Sequence, residues 1–269
     1  MKPTLSEVEF LARQAGDILR EGFSLRPGIE RKVQIQYKGE IDIVTEFDHR
    51  AEEYLIREIH QRFPTHSIFA EESGGLEGDA CCLWYIDPLD GTVNYAHGIP
   101  LFAVSLAYAE AGQVQLGVVY NPIAEECFTA ERGTGAWLNG LLIKVSRAST
   151  LIESLLVTGF PYDIRTNPRN NLGLYSRLSL ESQGVRRLGT AAIDLCYVAA
   201  GRVDGYWEMS LMAYDVAAGG LIAEEAGATV STVYGNSYYL TPRNSILAAN
   251  PEIHSLLLQI IRETYPLTL

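Results

Sequence analysis

The sequence predicts a layered sandwich of helices and sheets, α/β or α+β. Three observations carry this reading. Helical and strand-like segments alternate at both ends of the chain, and three strand-like runs follow one another between Leu101 and Ala130. The chain also has 269 residues, 47% of them hydrophobic, which is ample for a large buried core.

Thr4-x-x-Glu7 has capping-box spacing and precedes Val8, Leu11, Ala12, Ala15, Ile18 and Leu19 at helical intervals, so a first helix begins there. A second helix starts near Thr45, lines up Ala51, Tyr54, Leu55 and Ile59, and ends before Pro64. Residues 67–70 and 83–86 read as short buried strands, each running directly into acidic residues. Residues 102–108, 114–120 and 126–130, broken by Gly112 and by Asn121-Pro122, have the pattern of an antiparallel meander. Beyond them, 155–158 and 185–188 read as strands, and 191–200, 216–225 and 252–263 as helices. There is no internal repeat. We expect one compact unit of two lobes, 1–150 and 151–269, meeting within 145–155.

The formal charge of -12 argues against general attraction to nucleic acid, although a metal ion can still bring a phosphate to an acidic site. The N-terminus lacks the apolar core of a signal peptide, and no run approaches the ~18 apolar residues of a membrane span. Cys81, Cys82, Cys127 and Cys196 form no CxxC pair, as expected of reduced thiols in a cytoplasmic protein. The five histidines form no HExxH, and neither a G-x-S-x-G elbow nor a P-loop is present. Gly133-Thr134-Gly135 is a lone GxG with Leu138 in place of a third glycine, a weak dinucleotide signal.

Most of the chemistry is concentrated in acids. In Trp84-Tyr85-Ile86-Asp87-Pro88-Leu89-Asp90-Gly91-Thr92, an apolar strand delivers Asp87 to its end, and Pro88 keeps Asp87 out of the helical region. A turn then points Asp87, Asp90 and the Leu89 carbonyl into one space, the oxygen donors that a hard cation requires. The amides of Gly91 and Thr92 would open a helix and suit a phosphate. The same spacing also describes an ordinary turn. Glu71 and Glu72 end a buried strand, as metal ligands or as the start of a solvated loop. Asp215 reads as a helix N-cap, a ligand, or both. Thr45-x-x-Asp48 resembles a capping box, and spacing alone favours the cap at Asp48.

These residues resemble the inositol monophosphatase family, within the superfamily that includes fructose-1,6-bisphosphatases. The run from Trp84 to Thr92, continued by Val93-Asn94-Tyr95, is similar to its first motif. Tyr206-Trp207-Glu208 followed by Tyr214-Asp215-Val216-Ala217-Ala218-Gly219 is similar to its second. Asp42-Ile43-Val44-Thr45-Glu46-Phe47-Asp48, Ala70-Glu71-Glu72-Ser73 and Gly189-Thr190-Ala191-Ala192 fall in the family's order, so the likeness spans about residues 5–265. Tyr214 departs from the usual Trp. Gly159-Phe160-Pro161-Tyr162-Asp163 resembles the bacterial branch.

The resemblance implies a five-layered αβαβα sandwich, a homodimer, and magnesium-dependent hydrolysis of myo-inositol 1-phosphate or a similar polyol phosphate by direct attack of a metal-activated water. It implies one Mg2+ on Glu71, Asp87 and the Leu89 carbonyl, a second on Asp87, Asp90 and Asp215, and a weaker third through Glu71. Asp48 and Thr92 would activate the water, with Glu71 also catalytic. Gly91 and Thr92 would hold phosphate, while Gly189, Ala191 and Glu208 would face the alcohol. The rival expectations are a fructose-1,6-bisphosphatase or dual-specificity sugar phosphatase, and a protein-binding regulator that keeps the fold.

Overall fold

The computed structural model describes residues 2–24, 35–39, 42–241 and 243–265. Helix α1 (Leu5–Ser24) starts where the capping box places it: the Thr4 amide donates to Glu7, and the Glu7 amide to the Thr4 hydroxyl. Strands β1 (Ile35–Tyr37) and β2 (Ile43–Thr45) pair antiparallel and lead into α2 (Glu46–Arg62). Then come β3 (His66–Ala70), β4 (Asp79–Asp90), α3 (Thr92–His97) and the meander β5 (Ala103–Glu110), β6 (Gln113–Asn121) and β7 (Glu126–Glu131). Two short strands, β8 (Ala136–Leu138) and β9 (Leu141–Ile143), finish a seven-stranded sheet of order β3-β4-β5-β6-β7-β8-β9.

The chain then builds a second sheet from β10 (Leu155–Thr158), α4 (Leu172–Glu181), β11 (Gly184–Arg186), α5 (Ala191–Ala199), β12 (Gly205–Leu211), α6 (Ala213–Glu225), β13 (Thr229–Ser231) and β14 (Asn244–Ala249), and ends in α7 (Pro251–Thr264). Its order is β11-β10-β12-β14-β13, with β10 parallel to both neighbours and β14 antiparallel to both of its own.

Three apolar cores make this five layers. Val8, Leu11, Ala15 and Leu19 of α1 meet Ala51, Leu55 and Ile59 of α2 over one face of the first sheet. Helices α5 and α6, apolar nearly all round, lie between the two sheets. Leu174 and Leu178 of α4, with Ile253, Leu257 and Ile261 of α7, cover the outer face of the second. The αβαβα sandwich expected from the resemblance is thus the observed architecture. Among the described residues no helix is long and apolar enough to cross a membrane, and all four cysteines are free.

One buried polar cluster fixes the second sheet to its outer layer. Asn171, fully buried and left-handed at φ 71, donates from Nδ2 to Thr158 Oγ1 and to the Gly159 carbonyl, and accepts from the Trp207 indole. Every polar atom of its side chain is engaged. Replacing Asn171 with Ala strands these partners in the core and puts a Cβ-bearing residue without a local hydrogen bond at positive φ. The expected loss is about 3 kcal/mol of unfolding free energy in urea denaturation; an unchanged midpoint would remove this account.

Candidate metal and phosphate site

Strand β4 carries the first acids. Trp84 and Ile86 are fully buried, and Asp87 follows at 2% exposure. The sequence places a turn after Asp87, but the strand runs on to Asp90. What breaks there is the ladder: Asp87 pairs with Ser105 and Asp90 with Ala103, so the bulge falls at Pro88, which has no N–H to give. The Leu89 amide donates back to Asp87 Oδ1 at 3.0 Å. The turn comes at Gly91, whose φ of 97 suits glycine, and Thr92 opens α3. The Thr92 hydroxyl lies 3.1 Å from Asp48 Oδ1 and 3.0 Å from the Leu89 carbonyl, with one proton to donate to either.

Asp48 and Asp215 arrive in the same way, each as the third residue of a helix. Asp48 Oδ2 accepts from the Thr45 amide at 2.9 Å and from the Thr45 hydroxyl. One oxygen therefore caps α2 as the spacing suggests, while the other meets Thr92. Asp215 differs from its expected N-cap position. The cap is Met212, in extended conformation, and Asp215 Oδ2 accepts from its amide at 2.7 Å. A carboxylate one turn inside a helix satisfies the same orphan N–H that a capping side chain would leave open.

Asp90 ties the two sheets together. Its Oδ2 accepts from Thr190 Oγ1 at 2.5 Å and from the Ala192 amide at 2.7 Å, so an anion from the first sheet sits on the positive end of α5. Glu71 and Glu72 lie just beyond β3, with Lys38 donating to both at 3.1 and 2.6 Å. The loop is held from below by Glu52, which accepts from the amides of Glu72 and Ser73, each at 2.8 Å. Sequence reasoning missed Glu52 and Lys38. Glu52 had a visible signal, a charge on the apolar face of α2 between Ala51 and Leu55. Lys38 had none.

Burial raises the pKa of Asp87 and of Asp215 well above the usual carboxylate range, and the charge of Glu71 adds to both. Burial likewise raises Glu71, against the pull of Lys38, and pushes Asp90 and Asp48 up to about 6. Burial opposes the charge on Lys38, but Glu71 and Glu72 outweigh it and raise its pKa. Among the described residues, no three acidic, histidine or cysteine side chains stand close enough to form a finished metal cage. The donor chemistry nevertheless fits a hard divalent cation: the donors are oxygens and anionic, they repel one another, and several are oriented by backbone amides.

The alcohol-side candidates lie next to Asp90. Glu208 on β12 accepts from the Tyr206 hydroxyl at 2.6 Å, and burial pushes its carboxyl up to about 7. Ala191 opens α5, and Gly189 precedes it at φ 91, with Arg187 and Asn94 crowding the space a side chain would need. Asp194 of α5, unremarked in the sequence although it interrupts an apolar helix, carries the one buried polar side-chain atom without a partner among the described residues. Burial, then Glu208, raises its pKa well above the usual range. The Gly133-Thr134-Gly135 loop holds an anion of the protein's own: the amides of Gly133 and Gly135 donate to the two oxygens of Glu225 at 2.8 and 2.9 Å.

The fold agrees with the comparisons. The model of the inositol monophosphatase family matches residues 2–265. The chain belongs to that family. Similar proteins carry different names. The Nus factor SuhB of Pasteurella multocida is 42% identical over 250 residues, covering 93% of this chain and 92% of that protein. The inositol-1-monophosphatase of Mesorhizobium japonicum is 41% identical over 253 residues, covering 94% and 93%. The solved structure of inositol monophosphatase from Anabaena (Nostoc) superposes with a TM-score of 0.85 at 41% identity, covering 98% and 97%. The family is one of phosphatases, generally metal-dependent.

Proposed function

We propose that this chain is a magnesium-dependent phosphomonoesterase acting on myo-inositol 1-phosphate or a closely similar polyol phosphate, in the cytoplasm and as a homodimer. The observation that carries the reading is the convergence of Glu71, Asp90 and Asp215 on Asp87, whose pKa all three raise, beside the Asp48–Thr92 contact.

Glu71, Asp87 and the Leu89 carbonyl would hold one ion, Asp87, Asp90 and Asp215 a second, and Glu71 a weaker third. Bound magnesium supplies what the acids cannot, neutralising the phosphate, lowering the pKa of water and stabilising the leaving alkoxide. Thr92 accepts a hydrogen bond from the attacking water and passes its own to Asp48, which orients the water and takes up its proton. The amides of Gly91 and Thr92 hold the phosphate, and attack is in line with no phosphoenzyme. Glu208 accepts from a hydroxyl of the alcohol, with Gly189 and Ala191 shaping the wall beside it.

The test is phosphate release from inositol 1-phosphate, fructose 1,6-bisphosphate, histidinol phosphate and phosphoadenosine phosphate, with magnesium and with chelator. A magnesium-dependent preference for the first supports the proposed activity and substrate. Preference for fructose 1,6-bisphosphate keeps the site and replaces the substrate. The relatives named Nus factor SuhB favour a second reading, a protein-binding regulator, and no turnover of any ester by folded, metal-loaded protein would leave that one standing. Replacing Glu208 with Ala is expected to raise KM for inositol 1-phosphate about 10-fold while changing kcat less. Unchanged kcat/KM on every ester would strip Glu208 of its role.

A further inference from the structure

The carboxylate of Glu208 lies directly on the backbone of Gly159. A Cβ at Gly159 would stand 2.0 Å from Oε2, 2.1 Å from Cδ and 2.2 Å from Oε1 of Glu208. Gly159 follows β10, whose last residue Thr158 pairs with Trp207, so Gly159 is level with Glu208. Its carbonyl is gripped by Asn171 at 2.6 Å, and Thr158 Oγ1 donates to the Trp207 carbonyl at 2.6 Å. Each strand is thus locked to the other and to Asn171. Gly159 is not at positive φ, so its backbone accepts an alanine. The Glu208 carboxylate, at the end of a rotatable side chain and held by Tyr206, is what would move.

We infer that Gly159 is a specificity-determining position: its missing side chain is the socket that seats the Glu208 carboxylate where a polyhydroxylated alcohol meets it. Gly159 touches no reacting atom. It acts through Glu208, and the inference rests on the proposed role of that residue. Any side chain at 159 displaces the acceptor, and the loss falls on substrates that offer hydroxyls to it.

The experiment compares four proteins on inositol 1-phosphate: wild type, Gly159→Ala, Glu208→Ala and the double variant. Gly159→Ala is expected to raise KM about 10-fold with kcat changed by less than about 3-fold, close to Glu208→Ala. The double variant should match Glu208→Ala alone, because the socket has no function once the carboxylate is gone. An unchanged KM for Gly159→Ala overturns the inference, as do losses that multiply in the double variant. A Gly159→Ala chain that fails to fold while the double variant folds supports the collision with Glu208; failure of both overturns it. If wild type itself turns over no ester, the proposed function fails and takes this inference with it. That outcome is distinguishable because it appears before any substitution is made.

Discussion

Asp87→Asn is expected to lower kcat at least about 10³-fold at saturating magnesium, about 4 kcal/mol of barrier. Asp87 is the acid proposed to serve both ions, and an amide is a poorer ligand with no charge. The same substitution is expected to raise the unfolding temperature of chelated protein. Asp87 is buried among Glu71, Asp90 and Asp215, so its charge costs stability in the fold. An Asn keeps the acceptor that takes the Leu89 amide and removes the repulsion. Activity and stability therefore move in opposite directions, as they do where function maintains a strained site. Steady-state kinetics and a thermal scan of the same preparation check both halves. Near-wild-type turnover would sink the assignment of Asp87.

On the proposed function, chelation is expected to abolish turnover, and it is also expected to make stability fall as pH rises through neutrality. Asp48 and Asp90 are raised to about 6 and Glu208 to about 7, with Asp87 and Asp215 also above their ordinary values. Raised carboxyl groups bind protons more tightly in the fold than in the unfolded chain. For Asp48, Asp90 and Glu208 the contribution is complete below the unfolded value near 4 and is lost as pH rises through 6 to 7. Each tenfold gain in proton affinity is worth about 1.4 kcal/mol, so chelated protein should melt at least about 5 °C lower at pH 8 than at pH 6. His254 works in the other direction: burial lowers its pKa, so as pH falls below about 6.5 the unfolded chain takes up the proton first and stability is lost. Magnesium supplies the missing positive charge, so it should stabilise more at pH 8 than at pH 6. Equal stabilisation at both values, by differential scanning fluorimetry, would count against a cation among these acids.

Local signals in the sequence carried far, and distant ones did not. The capping boxes at Thr4 and Thr45 and the run Leu155–Thr158 were legible because the information lies within a few residues. The meander was legible because turn residues punctuate it. Helix α4 was not: its cap is a left-handed Asn171 whose partners, Thr158 and Trp207, are 13 and 36 residues away. Strand β14 is buried from Ser245 onward, and its apolar run Ile246–Ala249 is unbroken, so no alternation marks it. At the site, the acids of the first motif stood out by their order. The contacts that orient them did not, since Lys38 reaches Glu71 across 33 residues and Thr190 reaches Asp90 across 100. The turn read at Asp87-Pro88 was a bulge, because pairing with β5 resumes at Asp90 and carries the strand past the point where local preference would end it.

The hydrogen bonds from Thr190 and Ala192 to Asp90 have a consequence for how such a chain can be divided. Glu71, Asp87 and Asp90 come before residue 144, and Thr190, Glu208 and Asp215 after residue 154. No strand of either sheet spans the interval. Cut there, the gene would encode two fragments, each with a sheet of its own and neither with a complete set of acids. On the proposed function, activity is expected to return only on reassembly, and the split chain would report its own assembly through phosphate release.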